Sequence, residues 1–293
     1  MRLLINMIQG GCMAIADSVP GVSGGTIAFV MGFYDRFILS LNNIACKDKQ
    51  KRKDAFIFLL KLMCGWVLGF GVSVLILGSI FDSYIYHLCS AFMGLSIFAF
   101  PIIMKEEKAS LIGWYQNIIF TIIGIVIVAA ITYFNSAGGN GGSVDVLNLN
   151  LGTSFYVFVV AMVAISTMVL PGISGSTLLL IFGLYIPVIT GIKELLHFNF
   201  AYFPVIVIFG LGVILGILTT IKLVKLGLER ARSQMIYFIL GLMLGSLYAI
   251  VMGPTTLDVA QPAMTLETFS PVFFVLGGVI IFGLQKLKGI KEK

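Results

Sequence analysis

The chain has 293 residues, 59% of them hydrophobic and 11% charged, with a net charge of +6. A soluble domain carries roughly a quarter charged residues, so this composition excludes a soluble fold and indicates an all-α polytopic membrane protein forming one integral domain over 1–293. The basic residues fall in short clusters between apolar runs and not along one polar face, which excludes a nucleic-acid partner; the 4 cysteines and 2 histidines have neither disulfide nor metal-ligand spacing, so no metal, cofactor or catalytic centre is expected.

In chain order, residues 1–45 form an apolar stretch interrupted by PGVSGGT at 20–26. Apolar runs at 55–79, 88–104 and 111–134 follow, each able to cross a hydrocarbon core of about 30 Å, with connections at 80–87 and 135–150. Residues 151–197 repeat the opening pattern around PGISGST at 171–177, and runs at 201–221, 235–253 and 269–285 complete the chain. The arms of the two interrupted stretches span about 15 to 20 residues, or about 22 to 30 Å at 1.5 Å per residue. That is short for full crossings, and each stretch reads as a re-entrant helical hairpin.

Of the 19 basic residues, 16 lie in connections on one side: Arg2, the run from Lys47 to Lys53, Lys105 and Lys108, the stretch from Lys222 to Arg232, and the four lysines from Lys286 onward. The opposite connections at 80–87, 135–150 and 254–268 hold none. The excess of Lys and Arg on cytoplasmic loops places both termini in the cytoplasm.

The two turns belong to an internal duplication. Setting Pro20 on Pro171 gives identities at Gly21/Gly172, Ser23/Ser174, Gly24/Gly175, Thr26/Thr177, Gly32/Gly183, Tyr34/Tyr185 and Ile38/Ile189. After a four-residue shift the halves match again at Gly65/Gly212, Gly69/Gly216 and Gly94/Gly241. Repeat one covers about 1–145 and repeat two about 146–293. One hairpin plus three spans makes an odd number of crossings, so the second repeat enters upside down. Interrupted segments in inverted repeats point to a transporter with its site at the repeat interface.

Backbone that leaves a helix inside a membrane must find partners in protein or in a wet cavity. Gly21, Gly24, Gly25, Gly172 and Gly175 allow a ligand to approach closely, and Ser23 and Ser174 are placed to cap the second arms. Two opposed helix N-termini offer N–H groups to a phosphate, joined by the hydroxyls of Ser23, Thr26, Ser174, Ser176 and Thr177. With Pro20 and Pro171 shaping the turns, these residues form the candidate substrate site. Close packing alone accounts better for Gly65, Gly69, Gly212 and Gly216.

Asp17 precedes the first turn and reads either as a brace through local N–H groups or as a proton- or substrate-handling group. Its counterpart is Met168, so the duplication is broken there, and Asp17 is expected to carry the asymmetry of transport. Arg36 joins the candidate substrate-binding residues, with adjacent Asp35 as its compensating charge. Lys61 is expected to snorkel to the cytoplasmic interface, and Glu229, Arg230 and Arg232 to form a solvated face.

The stretches ADSVPGVSGGTIAFVMGFYDRFI and STMVLPGISGSTLLLIFGLYIPV resemble the bacterial polyprenyl-phosphate transporter family, formerly a domain of unknown function. The resemblance covers the whole chain. It implies a flippase of the plasma membrane that returns undecaprenyl phosphate, the lipid carrier of cell-wall precursors, from the outer to the cytoplasmic leaflet. An intramembrane polyprenyl-diphosphate phosphatase is the alternative, since those enzymes share inverted repeats and a Pro-Gly-x-Ser turn. Phosphoryl transfer, however, needs acid/base groups and an Arg beside that turn, and these turns contain no Arg, His or Glu pair.

The charge pattern sets a direct expectation. Cys46 reacts with membrane-impermeant thiol reagents from the cytoplasm only, and a cysteine introduced as Asn140→Cys from outside only; labelling of both from one face would overturn the inverted arrangement.

Overall fold

A computed structural model describes residues 2–17, 23–44, 46–137, 146, 149–172, 175–256 and 261–289. Pro20, Gly21, Ser174 and Asn140 lie outside them, as do the side chains of Ser176 and Thr177. The described residues form helices α1 (Arg2–Asp17), α2 (Gly24–Val30), α3 (Tyr34–Asn43), α4 (Lys49–Glu106), α5 (Lys108–Leu111), α6 (Ile118–Ala137), α7 (Leu151–Val169), α8 (Gly175–Ile181), α9 (Tyr185–Leu196), α10 (Phe203–Arg230), α11 (Arg232–Met252) and α12 (Pro271–Gly289). Among the described residues six stretches are long and apolar enough to cross a membrane: 49–73 and 84–106 within α4, 115–134, 151–169, 200–230 and 232–255; the first arm of the second hairpin, expected to be short for a crossing, is one of them. Their outward faces carry exposed aliphatics such as Leu68, Val126, Ile214 and Leu223, as a lipid-facing surface requires.

The connection expected at 80–87 falls where two helices meet in a kink at Tyr84 (φ −127°, ψ 23°), the two parts together being α4. A further expectation is corrected. The second arm of each hairpin is two short helices, not one. α2 ends where Gly32 takes a positive φ of 67°, and α8 where Gly183 takes 65°. The N–H of Phe33 reaches back to the Ala28 carbonyl (3.0 Å) and that of Leu184 to the Leu179 carbonyl (2.9 Å). This six-to-one bond over a left-handed residue terminates a helix, and glycine adopts that conformation without the penalty a Cβ brings. α3 and α9 then begin at the duplicated Tyr34 and Tyr185.

The duplication extends to the packing. Gly65 and Gly69 of α4 press onto the backbone of Met7 and Gly11 in α1, while Gly212 and Gly216 of α10 press onto Phe158 and Met162 in α7. Met7 and Phe158 are separated by the same interval as Pro20 and Pro171, so both seams have one register. The last span of each half crosses over. Gly94 meets the Phe274 carbonyl and Gly277 meets Ala91, joining α4 to α12; Gly241 meets Thr121 and Gly124 meets Phe238, joining α11 to α6. Among the described residues, the two seams and the two crossed pairs are the most closely packed helix pairs.

A main core of Ile27, Phe29, Tyr34, Ile103, Ile239 and Met243 lies among α2, α3, α4 and α11. A smaller core of Val157, Val160, Leu184 and Val205 lies between α7 and α10. Arg232, expected on a solvated face, instead ties the halves together: Nη1 donates to Asp35 of α3 (3.0 Å) and Nε to Glu107 (3.0 Å). Asp35 therefore turns to Arg232 across the repeats, while neighbouring Arg36 lies over the Phe58 ring, 4.2 Å from its centroid.

The seams predict a sharp contrast between glycines. A Cβ at Gly65 would collide with the Met7 carbonyl, whereas one at Gly71 meets nothing within 4 Å. Gly65→Ala should destabilise by about 1–3 kcal/mol or more through overpacking and lower the unfolding temperature in detergent, and Gly71→Ala should leave it near that of the native chain.

Candidate functional site: the paired turns

Ser23 takes extended backbone (φ −127°, ψ 139°) and caps α2, its Oγ accepting from the Gly25 N–H at 3.1 Å. The same hydroxyl donates to the Leu170 carbonyl, 3.2 Å away in the second turn. Thr26, one turn into α2, accepts from the Gly172 N–H at 2.9 Å. Tyr34 at the head of α3 donates its phenol to the Val169 carbonyl at 3.1 Å. Ser23 and Thr26 are only 1% and 2% exposed. The two turns thus meet directly, with side chains of the first half supplying partners for backbone groups that the second turn leaves outside a helix. Gly25 makes the approach possible, since a Cβ there would lie 3.2 Å from the Leu170 and Pro171 backbone. Gly172 sits at φ +91° against the Leu242 carbonyl, where a Cβ would approach to 2.6 Å.

Asp17 closes α1 and braces the first turn. One carboxylate oxygen accepts from the Gly24 N–H at 2.6 Å, the other from Trp66 Nε1–H at 3.1 Å. A Cβ at Gly24 would stand 2.7 Å from that carboxylate, so glycine is what lets the brace reach the backbone. In the second half Met168 lies against Gly175 in the same way, and the counterpart of Trp66 is Val213. One polar pair is thereby exchanged for an apolar one.

The sequence reading expected N–H groups of α2 to stand ready for an anion. Instead, those of Gly24, Gly25 and Thr26 are taken by the Asp17 carboxylate, the Ser23 hydroxyl and the Ser23 carbonyl. α2 and α8 have 7 residues each, too few for the dipole of a long helix, which sums over aligned peptides. Hydroxyls and local N–H groups are therefore the chemistry this site offers. Arg36 lines a cavity with Asn6 and Lys61. Trp66 and Tyr34 escaped the sequence reading. Tyr34 had a signal in its repeat as Tyr185, and Trp66 follows the duplicated Gly65 but has no polar counterpart.

A polytopic helical bundle with duplicated, backbone-to-backbone turns between its halves is an integral membrane transporter in class. The sequence profile described as undecaprenyl phosphate translocase-like matches residues 13–268, and the chain belongs to that family. A polyprenyl-phosphate transporter of Staphylococcus aureus is 31% identical over 98% of both chains. One of Vibrio cholerae is 29% identical over 84% of this chain and 77% of its own. No solved structure matches. Family and relatives are transporters, not enzymes, which sets aside the phosphatase alternative.

Thr26→Val keeps the shape of the side chain but leaves the buried Gly172 N–H without an acceptor. Such a loss costs about 1–3 kcal/mol, so the unfolding temperature should fall for Thr26→Val and recover in Thr26→Ser.

Proposed function

We propose that the protein moves polyprenyl phosphate from the outer to the cytoplasmic leaflet of the bacterial plasma membrane by alternating access, with the phosphate held between the two turns. The observation that carries this reading is the set of cross-turn hydrogen bonds from Ser23 and to Thr26. These groups bond to one another in the closed arrangement, and a phosphate entering between the turns exchanges those bonds for its own oxygens. Ser174, Ser176, Thr177 and the N–H groups around Gly21, Gly24, Gly25, Gly172 and Gly175 are the further partners, with Pro20 and Pro171 holding the turns. A phosphate headgroup cannot enter hydrocarbon without a large desolvation penalty, whereas the polyprenyl tail stays in lipid throughout. A polar cleft open sideways to lipid is sufficient for this substrate.

Inversion of the repeats is supported by the crossed pairs. Residues 94 and 98 of α4 meet 274 and 278 of α12, and 121 and 125 of α6 meet 241 and 245 of α11, so each pair runs parallel. Consecutive spans run antiparallel, which sets α11 opposite to its counterpart, the second span of α4. Two related half-structures of opposite orientation supply inward- and outward-open states of similar energy, and the positive-inside count puts both termini in the cytoplasm.

The reading is tested in proteoliposomes with a leaflet-specific assay for a polyprenyl phosphate. Gly24→Leu and Gly175→Leu should abolish movement and Thr26→Val should slow it; full rates in well-folded Leu variants would return the turns to a packing role. Asp17 is the carboxylate that touches the first turn, and the phosphate itself titrates with a second pKa of about 6. Transport should therefore depend on pH, with Asp17→Asn retaining lipid binding but flattening the profile. An unchanged profile would assign Asp17 to bracing alone.

A further inference from the structure

A cavity of about 430 Å³ lies between α1, α3 and the start of α4, lined by Asn6, Arg36, Asp54, Ile57, Phe58 and Lys61. Asn6 is 3% exposed, and its side-chain oxygen has no hydrogen-bond partner. One turn further along α1, towards Asp17, Gln9 is 4% exposed and its oxygen is likewise unpartnered. A buried amide oxygen without a partner costs free energy; turned about its terminal bond, the amide presents N–H donors in its place. Two cations, Arg36 and Lys61, and one carboxylate, Asp54, face this cavity, which leaves its lining with a net positive charge. Phe58 holds the Arg36 guanidinium from beneath.

The other half of the molecule shows that the fold does not require these groups. Through the shared registers, Asn6 corresponds to Val157, Gln9 to Val160, Arg36 to Pro187 and Lys61 to Ile208. Val157 and Val160 are buried like their counterparts, at 0% and 5% exposure, and pack with Ile208 into an aliphatic core. One backbone arrangement thus carries polar and basic residues on the Lys- and Arg-rich side and a hydrocarbon cluster on the other.

We propose that this cavity is a second phosphate-monoester site, at which the lipid headgroup rests on the cytoplasmic side of the turns with Arg36 and Lys61 matching its charge; this rests on the reading of the chain as a polyprenyl-phosphate transporter. The volume exceeds the share of several water molecules, at about 30 Å³ each, and accommodates a hydrated phosphate. Beside it the outward face of α4 exposes Phe56, Leu60 and Met63, an apolar surface along which the tail stays in lipid while the headgroup sits inside. That surface favours a lipid headgroup over inorganic phosphate as the source of the ligand.

The test uses the full chain with its four cysteines replaced and Ile57→Cys added, after confirming that it transports. Labelling at this position by a cytoplasmic thiol reagent should slow about tenfold with a short-chain polyprenyl phosphate at about ten times its dissociation constant. The corresponding polyprenol should give no slowing, and Lys61→Ile or Arg36→Gln should remove the protection. Equal protection by the polyprenol would make the cavity an apolar tail site, and protection by inorganic phosphate but not by the lipid would make it a free-phosphate site; either overturns the assignment. Absence of protection in a protein that still transports refutes the cavity alone. Transport that survives Gly24→Leu and Gly175→Leu refutes the paired-turn site and leaves protection at Ile57→Cys unaffected.

Discussion

Two stretches of non-helical backbone in an apolar bundle must each find hydrogen-bond partners: the first finds them in Asp17 and Ser23 of its own half, and the second finds them in side chains of the first. The Gly172 N–H donates to Thr26, and the Leu170 carbonyl accepts from Ser23. With no water in hydrocarbon to substitute, every unmade bond there costs several kcal/mol. The juxtaposition of the turns is thus enforced by the solvent as much as by the side chains. An unwound turn in such surroundings needs a facing surface that carries side-chain partners, and the first half supplies that surface to the second through Ser23, Thr26 and Tyr34.

The glycine seams serve that meeting. Gly65 and Gly69 bring α1 onto α4, and Gly212 and Gly216 bring α7 onto α10, at a separation that leaves Trp66 within reach of Asp17. Where the halves differ, they differ in chemistry and not in backbone. Asp17 and Trp66 face Gly24 where Met168 and Val213 occupy the equivalent positions.

Much of this was readable in the sequence because its signals are local or repeated. The turns, the Ser23 cap, the span order and the duplication all follow from Pro, Gly and Ser at matching intervals. The helix ends at Gly32 and Gly183 were present as aligned glycines, but hydrophobicity continues across them, and an apolar run alone does not distinguish one helix from two. The break at Tyr84 falls inside the connection expected at 80–87. The Arg232 bridge to Asp35 and Glu107 joins residues up to 197 positions apart, and adjacency in the chain suggested Arg36 as the partner of Asp35 instead. In the site, the residue types were readable while their pairings were not. Whether an N–H faces a ligand, a carboxylate or a neighbouring hydroxyl depends on distances that only the packed helices define.

The crossing of the final spans has a consequence for how the protein is made. Gly94 presses on Phe274, 180 residues further along the chain, a delay of about 10 to 40 s at about 5–20 residues per second of synthesis. For that interval the second span of α4 is inserted in the bilayer with its narrow glycine face turned to lipid. Neither half is a folding unit, because each completes its bundle with a helix encoded in the other. Biogenesis must therefore separate insertion from assembly, and a ribosome that stops short of α12 leaves in the membrane an unfinished body that lacks its closing helix.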